Sequence, residues 1–110
     1  MATRDRLRGT IDVLILNTLT DGPRHGYAIC TFLERTSSAE LKVEQGSLYP
    51  ALYRLEARGF IRSREQMSEL GRPAKFYEIT PAGRRHLQKE RADWLAFSRT
   101  VTKLLKGRQS

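Results

Sequence analysis

The segment Glu44-Gln45-Gly46-Ser47-Leu48-Tyr49-Pro50-Ala51-Leu52-Tyr53-Arg54-Leu55-Glu56-Ala57-Arg58-Gly59-Phe60 reads as one short helix with both ends marked. Ser47 is the expected amino-terminal cap, its hydroxyl accepting from the first free N–H groups. Pro50 then falls in the first turn, where a missing donor has no helical partner to lose. Gly59 suits the left-handed residue that ends a helix, and Phe60 supplies the closing apolar contact. Leu48, Ala51, Leu52 and Leu55 share one side at helical spacing. The other side presents Pro50, Tyr53, Arg54 and Ala57, flanked by Ser47 and Tyr49. Two phenols and a guanidinium on one outer face suggest a surface that touches something. An ordinary solvated face explains the helix equally well when it is taken alone, so its neighbours decide.

Upstream, Thr10–Thr20 is a dense apolar segment whose spacing favours a buried helix. Asp21-Gly22-Pro23 stops it. A second helix is expected from His25 to Thr36, with Ile29, Phe32, Leu33 and Thr36 inward and Tyr27 and Thr31 outward. Leu41-Lys42-Val43 is long enough for a very short strand. Downstream of Gly59 the period changes. Ile61–Glu65 reads as a polar edge strand and Lys75–Ile79 as its partner, joined by the loop Gln66–Ala74. Thr80-Pro81 then opens the last helix as cap and first helical residue, running to about Leu105.

A chain of 110 residues with 39% hydrophobic content holds one modest core. Its formal charge of +8 points to an anionic partner, most often nucleic acid. The excess is uneven: beyond Thr80 lie Arg84, Arg85, Lys89, Arg91, Arg99, Lys103, Lys106 and Arg108 against only Glu90 and Asp93. Charge alone would therefore select the wrong helix as the reader of a base sequence. Cys30 is the single cysteine, so no intrachain disulfide framework exists, and a reducing compartment is the simpler setting. The amino-terminal segment is too short and too polar to span a bilayer, which makes the cytoplasm the default expectation. Two distant histidines and one cysteine make no metal cluster, and no phosphate-binding glycine loop or nucleophile elbow is present. An enzyme is close to excluded, and no cofactor is expected.

Three helices followed by a hairpin with a basic loop and a long helix form the winged helix-turn-helix plan. The fold class expected is mainly α with a small β-hairpin: a DNA-binding domain over 1–80 and a long dimerisation helix over 81–110. The third helix fits a major groove about 12 Å wide, with its amino-terminal residues nearest the base edges.

The chain also resembles a known family. Leu19-Thr20-Asp21-Gly22-Pro23-Arg24-His25-Gly26-Tyr27, then Gly46–Gly59, then Gly71-Arg72-Pro73-Ala74-Lys75-Phe76-Tyr77-Glu78-Ile79-Thr80-Pro81-Ala82-Gly83 are similar, in order and spacing, to PadR-type transcriptional regulators. That resemblance implies a cytoplasmic prokaryotic regulator, usually a repressor, acting as a homodimer on a near-palindromic operator. The short carboxy-terminal part is similar to the subclass with a single dimerising helix.

The expected DNA contacts are Ser47, Tyr49, Tyr53 and Arg54 on the recognition helix. The resemblance makes the Tyr49 phenol a DNA-facing group, and Arg54 has the fork that suits a guanine edge; its alternative is a surface arginine near Glu56 and Arg58. Lys42 and Gln45 are expected on the backbone at the helix entrance. Gly71, Arg72 and Lys75 form the wing contact. Tyr27 stands where a helix amino end and a phenol hold a phosphate, while His25 is better placed as a cap. Cys30 is read as a small, partly buried filler.

Trp94, Phe97, Val101 and Leu104 recur at alternating spacings of three and four, with Leu87 one heptad earlier and Leu105 beside them. This stripe is expected to bury against a second subunit. In some short relatives a tryptophan on this helix stacks on flat hydrophobic effectors; the resemblance extends that minor reading to Trp94, against plain packing in the seam. The rival to a DNA-binding regulator is a winged-helix module that binds RNA or a protein partner. Preference for a defined duplex, and self-association through the last helix, discriminate between them.

Overall fold

The computed structural model describes the backbone of residues 3–107 and the side chains of residues 9–107. Its order is α1 Thr3–Thr18, β1 Arg24–His25, α2 Gly26–Thr36, α3 Gln45–Ala57, β2 Ile61–Met67, β3 Pro73–Ile79 and α4 Pro81–Lys106. The strands form one antiparallel sheet in the order β1-β3-β2. The wing is therefore three-stranded. His25, expected to open the second helix, and Arg24 before it pair with Phe76 and Tyr77. Leu41–Val43, the segment considered for a short strand, has no strand geometry.

The expected apolar faces meet in one core. Ile15, Leu16 and Leu19 from the first helical segment pack with Ile29 and Leu33 of α2 and with Leu48, Ala51, Leu52 and Leu55 of α3. Ile61, Tyr77 and Ile79 close it from the sheet. Each fully buried leucine or isoleucine contributes about 1.5–3 kcal/mol relative to exposure. Thr36, expected inward, is exposed, and Phe32 is only half-buried beneath the Arg24 guanidinium, 4.2 Å from its ring centre.

Helix ends follow local chemistry, with one correction. Gly59 has φ +79°, and the N–H groups of Gly59 and Phe60 donate to Glu56 and Leu55 carbonyls at 3.0 Å each. This is a Schellman closure. At the other end, however, the cap is Glu44, without a side-chain cap bond, and α3 begins at Gln45. Ser47 is thus the third helical residue, not the cap, and Pro50 lies one turn deeper than the first. The Glu44 carbonyl takes both Ser47 and Leu48 N–H groups, at 3.0 and 2.9 Å. Thr80 caps α4 as expected, its Oγ1 accepting from Gly83 N–H at 3.0 Å.

The start of α4 is built into the core. Leu87 is buried there, so it is not part of a seam with another subunit. Gly83 lies so close to the Phe60 carbonyl that a β-carbon would overlap it. His86 stacks on Phe60 with ring centres 4.2 Å apart. A boundary at residue 80 therefore cuts a continuous packing unit; the later part of α4 is largely exposed, and the molecule is elongated, with extents of 60 × 29 × 25 Å.

Candidate nucleic-acid interface

The site begins with a turn that is tied at both ends. Arg24 Nε donates to the Thr18 carbonyl at 2.9 Å, and its Nη2 reaches Asp21 at 3.3 Å. β1 then anchors the entrance of α2 on the sheet. His25 caps that helix, its Nδ1 accepting from Ala28 N–H at 3.1 Å. The N–H groups of Gly26 and Tyr27 lie in this first turn and have no intrahelical acceptor; a helix amino end of this kind is where anions bind.

Tyr49 joins α3 to that end of α2. Its phenolic oxygen sits against Gly26, where a β-carbon would be 2.5 Å away. Only glycine leaves room for it. Tyr77 is buried nearby, and its phenol is held above the ordinary tyrosine range by burial first, then by Glu56 and Tyr49. Tyr49 remains half-exposed, Tyr53 one turn later is 77% exposed, and Tyr27 is 67% exposed. Three phenols thus run from the amino end of α2 along the outer side of α3. Gly46 stands on the same side with open space around its α-carbon, so a partner can approach the backbone closely. Lys42, Gln45 and Ser47 are exposed around the entrance to α3.

Arg54 does not join them. Its Nη2 donates to Asp12 Oδ1 of α1 at 2.8 Å, which commits the guanidinium to the fold and not to the outer face of α3. The base-reading role expected for it gives way to this inward contact. Helical geometry explains why: Arg54 is about 70° from the centre of the exposed arc, on the flank that α1 covers.

The wing is a hairpin closed by Ser68, whose N–H donates to the Arg72 carbonyl at 2.8 Å. Gly71 takes φ +77° at its tip. Both strands are longer than the sequence suggested, so Lys75, expected as the first residue of the second strand, stands third in β3, opposite Glu65. Arg62 and Arg64 are engaged by Glu78, whose carboxyl is held below its ordinary range chiefly by the hydrogen bond from Arg62. Arg72 and Lys75 are exposed and make no ion pair among the described residues. Glu69 and Phe76 of the wing line an open groove of about 410 Å³ with Tyr27, Thr31 and Arg35 of α2, so wing and α2 flank one surface.

Sequence reasoning missed two participants. Gly26 is one, although His25-Gly26-Tyr27 does place a residue without a side chain at a helix start. Gly46 is the other, visible only once the true start of α3 is known.

Comparisons with known proteins agree with this geometry. The transcriptional regulator PadR-like family model matches residues 15–89. A transcriptional regulator of Mycobacterium tuberculosis is 35% identical over 98 residues, covering 89% of this chain and 88% of that protein. A 37.1 kDa protein of a Streptomyces fradiae transposon is 47% identical over 78 residues, 71% of this chain but only 21% of that protein's length. A PadR-like transcriptional regulator from Bacillus cereus has a solved structure that superposes with a TM-score of 0.80 at 31% identity, over 94% of this chain and 99% of that one. Winged-helix architecture, the tied entrance of α2 and these matches converge: the chain belongs to the PadR-like family of transcriptional regulators, a class of DNA-binding proteins that are not enzymes.

Proposed function

We propose that the protein acts in the cytoplasm as a homodimeric repressor that binds a near-palindromic operator through the face built by α2, α3 and the wing. The observation that carries this reading is the seat of Tyr49 on Gly26, which locks the amino end of α2 to the outer side of α3. A phosphate received at the first turn of α2 and by the Tyr27 and Tyr49 phenols fixes register. With register fixed, Gln45, Gly46, Ser47 and Tyr53 face the major groove. Lys42 lies beside the backbone, while Gly71, Arg72 and Lys75 of the wing reach the adjacent backbone or minor groove.

The dimer is assigned to the later part of α4. Trp94 is 46% exposed and Phe97 41%, with ring centres 6.1 Å apart, and Val101, Leu104 and Leu105 continue the apolar stripe. Burying this stripe against its symmetry mate sets two recognition helices about 34 Å apart, one turn of duplex. A flat hydrophobic effector stacking on Trp94 releases the operator if it favours a different angle between the halves.

Fluorescence anisotropy tests the reading, using the duplex upstream of the protein's own gene against a scrambled duplex across a salt series. Selective binding that survives at physiological salt, with two chains per site, supports it. Equal binding that collapses with salt overturns it, because the +8 charge alone would then be acting.

A further inference from the structure

Arg54 leaves α3 toward α1, and the contact it makes there is costly as mere packing. Its partner Asp12 is 42 positions away in sequence and has a side chain only 13% exposed; the Arg54 side chain is 33% exposed. The Arg54 Nε is buried with no acceptor, the one side-chain nitrogen or oxygen in that state among the described residues. A well-packed apolar side chain often fills such a position without loss. A charge-assisted hydrogen bond supplies direction instead: the single Nη2–Oδ1 bond, between two largely buried groups on different helices, limits the roll of α3 against α1. Roll matters here because Tyr49, Tyr53 and Gly46 sit on one arc of α3, and a turn of a few degrees moves all three together.

The other end of α1 is tied to the projecting helix. Arg91 Nη2 donates to Asn17 Oδ1 at 2.8 Å, and Arg84 Nη2 donates to the Thr20 carbonyl just past the helix end at 3.1 Å. Side-chain links therefore run from α3 to α1 at Asp12, and from the α1 terminus to α4. We propose that Arg54 is a positioning residue which, with Asp12, fixes the angle of each recognition helix against the α1–α4 frame and so the half-site spacing the dimer accepts. The proposal rests on the dimeric DNA-binding reading above.

The test uses the full chain and a panel of duplexes carrying one inverted half-site pair at spacings that differ by single base pairs. Wild type is expected to prefer one spacing over its neighbours by about tenfold, or about 1.4 kcal/mol. Arg54→Met and Asp12→Ala are each expected to reduce that preference to about twofold, and the double variant to reduce it no further. Asp12→Asn keeps an acceptor oxygen, guards against a variant that fails to fold, and is expected to fall between; thermal melting is followed for all. Equal weakening on every duplex with the spacing preference intact overturns the proposal, since the pair would then be structural only. Loss of discrimination at one base pair in Arg54→Met but not in Asp12→Ala overturns it in favour of base reading. Wild type that binds every spacing alike, yet binds a scrambled duplex more weakly, overturns this proposal alone; wild type that binds the scrambled duplex equally removes the DNA-binding reading with it.

Discussion

The phenolic oxygen of Tyr49 rests against the α-carbon of Gly26, with room for no β-carbon between them. A recognition helix and the entrance of the helix before it are thereby held in one arrangement. Gly26→Ala is expected to push the ring from its seat, because the overlapping atoms are the far end of a half-exposed side chain and not backbone. Melting should change little, by less than about 1 kcal/mol. Affinity for the operator should fall about fivefold or more as the phenol leaves its seat. Unchanged affinity would mean that Tyr49 is not a DNA contact.

Gly83→Ala is the opposite case. There the obstacle is the Phe60 backbone carbonyl and, at 2.8 Å, Ile79 Cγ1, neither of which can rotate away. The expected loss is about 3 kcal/mol or more, the upper end for overpacking a tight contact. Denaturant unfolding measures it. A loss below 1 kcal/mol would show that α4 is less firmly seated on the α3 terminus than the structure describes.

Arg72→Ala removes a wing cation that has no ion-pair partner among the described residues. Stability should hold, binding should weaken alike on all duplexes, and the salt slope should drop by about 1. A change in base preference, without a change in slope, would place Arg72 on a base edge.

Trp94→Ala should shift the protein toward monomer at micromolar concentration, measured by sedimentation, because Trp94 leads the stripe of α4. Loss of a large aromatic from a packed seam costs about 3–5 kcal/mol. A dimer that persists would put the subunit contact elsewhere.

Cys30 is partly buried, and its thiol is pushed above the ordinary range by desolvation first and by Glu44 second. A raised value keeps the group as thiol at neutral pH, and the thiolate is the form that reacts. Alkylation by iodoacetamide at pH 7.5 should be slower in the folded protein than in urea, and should accelerate as pH rises. Equal rates in both states would remove the burial argument. The same poise fits Cys30 as filler better than as a redox sensor.

Much of this fold is legible in the residues because the signals are local. Gly59-Phe60 closes α3 and Thr80-Pro81 opens α4 by chemistry confined to a few neighbours, and both are where the residues place them. What is illegible depends on distant partners. A two-residue strand at Arg24–His25 exists only because β3 offers an edge. Leu87 continues a seam pattern by spacing, yet the core reaches it first. Arg54 has the chemistry of a base reader, and only Asp12, from another helix, decides its direction. Ser47 misleads for a different reason: Glu44 begins the helix one turn earlier, with no capping side chain to mark the start.

Selection from a pool of random duplexes by the full chain at physiological salt tests the central claim most directly. The account predicts enrichment of one inverted repeat, with half-sites about one helical turn apart, bound by two chains and lost in the Tyr49→Phe, Gly26→Ala double variant. A pool that stays random after selection, while the protein still binds duplex at low salt, would contradict it: the face of α2, α3 and the wing would then read no sequence.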